Sequence, residues 1–179
     1  MKNLLLALLL FPTLVLAGNQ VYNSGLEKPM PWYIGATMTG AAGFNLVKIG
    51  TVSMSSIYPA NGYRGTVGFR MTAANVAKGS GIWFKQTPGY NLPVTAGSWR
   101  TYRDWTRCTK SMRILAVYSR ADGSQFAVQY PSYTVGDGAW HRIAYNLRVP
   151  VGAVKVSIGR FAYQASSCVV DNIYFGSPL

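Results

Sequence analysis

The sequence predicts an all-β sandwich or barrel, and three observations carry that expectation. Short segments alternate apolar and polar residues with period two, clusters of Gly, Pro, Asn and Ser punctuate them, and runs with helical spacing are scarce. The 179 residues include 19 Gly, 9 Pro, 12 Tyr and 5 Trp, a bias towards turn formers and β-favouring aromatics. No linker, tandem repeat or low-complexity tract divides the chain, so a single domain is expected.

Residues 1–17 read as an export leader. Lys2 gives a short positive start, residues 4–11 are apolar, Pro12 breaks the run, and Val15, Leu16 and Ala17 suit a cleavage site. The apolar run is too short to span a bilayer. No Cys follows it to take a lipid anchor. The expectation is a signal peptide over 1–17, a mature domain over 18–179 and a secreted or periplasmic product.

Candidate strands then follow at 20–22, 45–52, 65–71, 81–86, 98–108, 113–119, 126–130, 141–149, 154–158 and 168–175. Turn signals separate them at 59–62, 88–89, 96–97, 121–123, 136–138 and 150–152. The alternation is clearest late in the chain. Ile143, Tyr145, Leu147 and Val149 alternate with Arg142, Ala144, Asn146 and Arg148, and Val154, Val156 and Ile158 alternate with Lys155 and Ser157. One side of each such strand packs the core.

Two cysteines, Cys108 and Cys168, favour one structural disulfide in an exported protein over a pair of buried thiols. A loop of that length would constrain the unfolded chain by about 4 kcal/mol in the entropy model. Seventeen Lys and Arg oppose five Asp and Glu, for a net charge of +12. A basic surface of this kind either attracts polyanions or keeps the protein soluble.

Few residues are suited to catalysis. Glycoside hydrolysis needs two facing carboxylates, and the acids are Glu27, Asp104, Asp122, Asp137 and Asp171. Asp122 and Asp137 lie in turn motifs, and Asp104 has no evident acid partner. His141 is the sole His, and there is no Gly-x-Ser-x-Gly and no phosphate loop. The one enzymatic alternative is a small polysaccharide lyase, with Tyr or His as base and Arg holding a uronate.

The stretch GAWHRIAYNLRVPVGAVKVSIGRFAYQASSCVVDNIYF, with the opening VYNSGLEKPMPWYIG (Asn23, Gly25-Leu26-Glu27, Trp32), resembles the galactose-binding-like jelly rolls found among carbohydrate-binding modules. The resemblance implies a jelly-roll sandwich that binds sugar without catalysis. It also implies a structural Ca²⁺ held by Glu27 and Asp171, although Asn172 stands where a second acid is common. Pairing of these acids with Lys or Arg is the alternative.

For binding, Trp99, Thr101, Arg103, Trp105 and Arg107 share one face if 98–108 is a regular strand. Their rings would stack on pyranose faces and their guanidinium groups would grip carboxylate or sulfate. Tyr118, Arg120, Tyr130 and Tyr133 could extend that surface. Core packing of Trp99 and Trp105 is the other reading, and Trp32, Trp83 and Trp140 are expected to pack in the core or under loops. The expected partner is a polysaccharide, preferably anionic. Extracellular DNA, or any polyanion bound by charge alone, is the rival.

Overall fold

The computed structural model describes residues 44–86 and 91–178. The leader, the candidate strand at 20–22, Glu27 and Trp32 lie outside the described residues.

The described chain is built of antiparallel strands in two sheets. In chain order they are β1 (Phe44–Ile49), β2 (Ser53–Asn61), β3 (Val67–Ala74), β4 (Gly81–Gln86), β5 (Leu92–Pro93), β6 (Trp99–Cys108), β7 (Arg113–Ser119), β8 (Gln125–Gln129), β9 (Trp140–Arg148), β10 (Lys155–Ala162) and β11 (Ser166–Gly176). The first sheet runs β1-β4-β10-β7-β8, with β5 also paired to β10. The second runs β2-β3-β11-β6-β9. Successive strands repeatedly cross from one sheet to the other, as in a jelly roll.

The core lies between the sheets. The first sheet contributes Ile82, Phe84, Ile114, Ala116, Val156 and Ile158. The second contributes Phe69, Met71, Tyr102, Ile143, Val170 and Phe175. Phe69 and Phe84 stack across the gap with ring centroids 4.6 Å apart. Burying each such large apolar side chain contributes about 1.5–3 kcal/mol. One polar contact crosses the same core. Asp104 of β6 is ion-paired with Arg160 of β10, both side chains fully buried, and Tyr102 donates its hydroxyl to the same carboxylate at 2.5 Å. Burial raises the Asp104 carboxyl and the Tyr102 hydroxyl above their ordinary ranges, with Arg160 opposing both shifts.

Several boundaries differ from the expectation. The 59–62 signal is not a hairpin turn. Pro59 sits inside β2, where the pairing with β3 shifts register between Ile57 and Ala60, a place on an edge strand that tolerates a missing N–H. The chain then makes a 3₁₀ turn at Tyr63–Gly65, so β3 starts later than expected. Strand β1 stops before Gly50, which takes a left-handed φ of 66°. Strand β10 continues to Ala162, past the expected end at 158. In β10 and β7 the outward-pointing Ser157, Leu115 and Val117 are buried as well as the core side, so the simple two-sided alternation expected at 154–158 does not hold there. Cys108 and Cys168 lie opposite one another in the β6–β11 register and form the expected disulfide.

Candidate functional site

Strand β6 alternates as a regular strand does. Tyr102, Asp104, Thr106 and Cys108 are buried, while Trp99, Arg103, Trp105 and Arg107 point away from the core. The expected row of rings and guanidinium groups is therefore on one face, the outer face of the second sheet. Strand β9 adds to it in register, with Arg142 opposite Trp105, Trp140 opposite Arg107 and Arg148 opposite Trp99. Strand β3 adds Arg70, which faces Val169 of β11.

Most rings on this face already have partners. Tyr63 lies flat on Trp105, with centroids 3.7 Å apart and planes 10° from parallel. It also meets Trp140 edge-on at 5.7 Å. Arg107 lies over Trp140 at 5.2 Å and Arg103 over Tyr174 at 4.1 Å. Trp99, 53% exposed, is the ring left open.

The turn that carries Tyr63 is held by Asp171. The Tyr63 N–H donates to Asp171 Oδ2 at 2.9 Å, the Thr66 hydroxyl donates to the same oxygen, and the Asn172 N–H donates to Oδ1 at 2.6 Å. Gly62 permits the approach, because a Cβ there would lie 2.6 Å from Asp171 Oδ2. Asn172 adopts a left-handed φ of 49° beside a register shift in β11, a conformation Asn tolerates far better than most residues.

Tyr118 does not join this face. It belongs to β7 of the other sheet, is fully buried in the core and donates its hydroxyl to Gln129 Oε1 at 3.0 Å. Burial pushes its hydroxyl up to about 12. In β7 the even-numbered positions 114, 116 and 118 face inward, which places it opposite to the expectation.

The first sheet presents a second surface that sequence reasoning missed. Trp83 of β4 is paired in register with Phe161 of β10, Phe161 with Arg113 of β7, and Arg113 with Tyr133. These four side chains form one row across the strands. At about 4.8 Å per strand the row is roughly 14 Å long. Trp83 meets Phe161 edge-on, centroids 6.3 Å apart. Arg113 lies within 5.1–5.7 Å of Tyr130, Tyr133 and Tyr163, and Lys85 lies 4.9 Å over Trp83. Gly81 makes room for Phe161, since a Cβ there would lie 2.4 Å from its ring. Two donors inside this row, Trp83 Nε1 and Arg113 Nε, are buried without a hydrogen-bond partner, a state that costs about 1–3 kcal/mol each. Partial burial also lowers the Lys85 ammonium from its usual range. Trp83, expected in the core or under a loop, points outward from the core and is half-buried.

The described acids are otherwise engaged. Asp122 accepts from the Ser124 hydroxyl and N–H. Asp137 accepts from the Ala139 N–H and meets His141 Nε2 at 2.9 Å, and these contacts hold its carboxyl below the usual range. Asp171, one of the two carboxylates expected to hold Ca²⁺, accepts from N–H and O–H groups of the Tyr63 turn, and Glu27, the other, lies outside the described residues.

No family model matches the chain, and no curated relative does. Its fold is similar to those of several solved structures. One is the enzymatically active domain of tailspike protein 4 of bacteriophage CBA120, at TM-score 0.60 and 16% identity over 88% of this chain; the chain covers only 21% of that one. Another is a family 4 carbohydrate-binding module, at TM-score 0.57 and 11% identity over 88% of this chain and 99% of that module. A third is the C-terminal family 22 carbohydrate-binding module of Clostridium thermocellum xylanase 10B, at TM-score 0.51 and 13% identity over 74% of this chain and 84% of that module. The chain has the two-sheet jelly-roll fold of these carbohydrate-binding modules.

Proposed function

We propose that this protein is an exported, non-catalytic carbohydrate-binding protein that prefers acidic polysaccharides. The observation that supports it best is the row Trp83–Phe161–Arg113–Tyr133. Sugar rings carry apolar faces that pack on aromatic planes and hydroxyls that accept hydrogen bonds. The row offers rings at strand spacing with two unpaired buried donors between them. Arg113 and Lys85 supply the charge that would favour a uronate or sulfated chain. The disulfide suits an oxidising destination, secreted or periplasmic, reached after removal of residues 1–17. Calcium enters this reading only if Glu27 brings a second carboxylate to Asp171.

The test is retention of the protein by a panel of neutral and acidic polysaccharides at low and high salt, with absorbance of an unsaturated uronate product followed in the same wells. Salt-resistant retention by a subset of glycans with flat absorbance is expected. Rising absorbance would make the protein a lyase, and equal, salt-sensitive retention by every polyanion would leave charge alone.

A further inference from the structure

We propose that the outer face of the second sheet is a separate seat for an acidic polysaccharide, so that one domain can hold two glycan chains back to back. This goes beyond the first reading, which concerns the opposite sheet.

Charge placement carries the inference. Arg64, Arg70, Arg103, Arg107, Arg142 and Arg148 all lie on this side. The Asp104–Arg160 and Asp137–His141 ion pairs involve none of them, and Asp171, the acid on this side, accepts from the Tyr63 turn. Two hollows open between the arginines. One, about 170 Å³, lies among Arg103, Asp104, Trp105, Arg142, Asn172 and Tyr174, with the Asp104 side chain turned inward to Arg160. The other, about 320 Å³, lies among Arg70, Arg107, Thr109, Gly138 and Ser167. Arg70 and Arg107 flank Val169 in register, so they stand two strand spacings apart, about 10 Å. Arg103 has a further donor, Nε, buried without a partner. Each hollow thus brings two guanidinium groups to one small space, the arrangement that grips carboxylate or sulfate in bidentate fashion.

The rings decide between polyanions. A single-stranded nucleic acid is held by stacking its bases on open aromatic planes. Here Trp105 is covered by Tyr63, Trp140 is flanked by Arg107 and Tyr63, and Tyr174 is covered by Arg103. The cation–π contacts fix the guanidinium groups in place and leave mainly their N–H edges to a ligand. Trp99 is open but stands at the far end of β6, four residues from Arg103, so the rings around the two hollows are the covered ones and the hollows suit anionic groups on a polymer with no bases to stack.

The experiment measures binding of dextran sulfate and polygalacturonate to the protein, with neutral dextran and a short single-stranded DNA alongside, at several salt concentrations. Two double variants, Arg70→Gln with Arg107→Gln and Arg103→Gln with Arg142→Gln, should each weaken polyanion binding at least tenfold and flatten its salt dependence. Thermal unfolding of the same variants checks that they are folded. Lys78→Gln with Lys155→Gln, exposed and outside both proposed seats, removes the same charge and should leave it within twofold of the parent. Arg107→Lys with Arg142→Lys keeps the charge and loses the fork, and should still bind several-fold more weakly. Equal losses in all charge-removing variants would show net charge without a seat and overturn the proposal. So would tighter binding of the DNA than of either glycan. NMR shifts at Trp83, Phe161, Arg113 and Tyr133 on adding a short oligogalacturonate should be unchanged in the second-sheet variants, so failure here does not touch the reading of the first sheet.

Discussion

The two outer faces use the same residue types in different ways. On the second sheet the rings are taken up within the protein: Tyr63 covers Trp105, and Arg103 and Arg107 lie on Tyr174 and Trp140. The first sheet keeps its rings in a row beside two unpaired donors. Cations lie over rings on both faces, since Lys85 lies over Trp83 and Arg113 among Tyr130, Tyr133 and Tyr163 on the first sheet. The faces differ in arrangement: the first holds its side chains in one cross-strand row, and the second stacks Tyr63 flat on Trp105 and leaves Trp99 open at one end. The row, more than the number of Trp and Arg on a strand, is what favours the first face as a sugar platform.

The largest expected effect comes from breaking what holds the two faces together. Removing Asp104 or Arg160 alone leaves a buried charge unpaired. Asp104→Ala should cost about 3–5 kcal/mol, read by denaturant unfolding, and should harm both faces. Replacing the pair by apolar residues of similar volume, Asp104→Leu with Arg160→Met, should cost much less. The disulfide comes next. It ties β6 to β11 in the second sheet, so Cys108→Ser with Cys168→Ser should destabilise by about 2–5 kcal/mol. Smaller and more selective is Phe161→Ala, which should weaken sugar binding about tenfold, or ~1.4 kcal/mol, while polyanion binding by the second sheet stays intact. On the other face, Asp171→Asn weakens the hold on the Tyr63 turn. It should cost about 1–2 kcal/mol and shift tryptophan fluorescence as Trp105 is uncovered.

The smallest effect is in alkali. Burial raises the hydroxyls of Tyr102 and Tyr118 above the ordinary value near 10. The unfolded chain therefore loses these protons first, so their contribution is intact below about pH 10 and declines as pH rises beyond it. For Tyr118 the decline should run between about pH 10 and 12. Tyr118→Phe should remove that share of the alkaline loss, measured as the midpoint of thermal unfolding against pH.

Period-two alternation made the sandwich, most strands and the outward set Trp99, Arg103, Trp105 and Arg107 legible from residues alone. The disulfide followed from two cysteines and the leader-like pattern at residues 1–17. Other features depend on contacts that no local pattern encodes. Whether Trp105 is open depends on Tyr63, more than forty positions earlier, and on Asp171, which caps its turn from 108 positions away. The row Trp83–Phe161–Arg113–Tyr133 is assembled from segments far apart in sequence, and only sheet order and register bring them together. Tyr118 was misassigned because the phase of β7, unlike that of β6, is hidden by a run buried on both sides, Ile114 to Ser119. The reading of Asp171 as a metal ligand came from resemblance, and the turn it caps had no signal that distinguished it from a hairpin.

The most direct test is an NMR titration of the isotope-labelled protein with a short oligosaccharide of the glycan it retains. The account predicts amide and indole shifts at Trp83, Phe161, Arg113 and Tyr133 that persist when Arg70, Arg103, Arg107 and Arg142 are replaced by Gln. Shifts confined to Trp99, Trp105 and their β9 neighbours, with the first-sheet row silent, would contradict it.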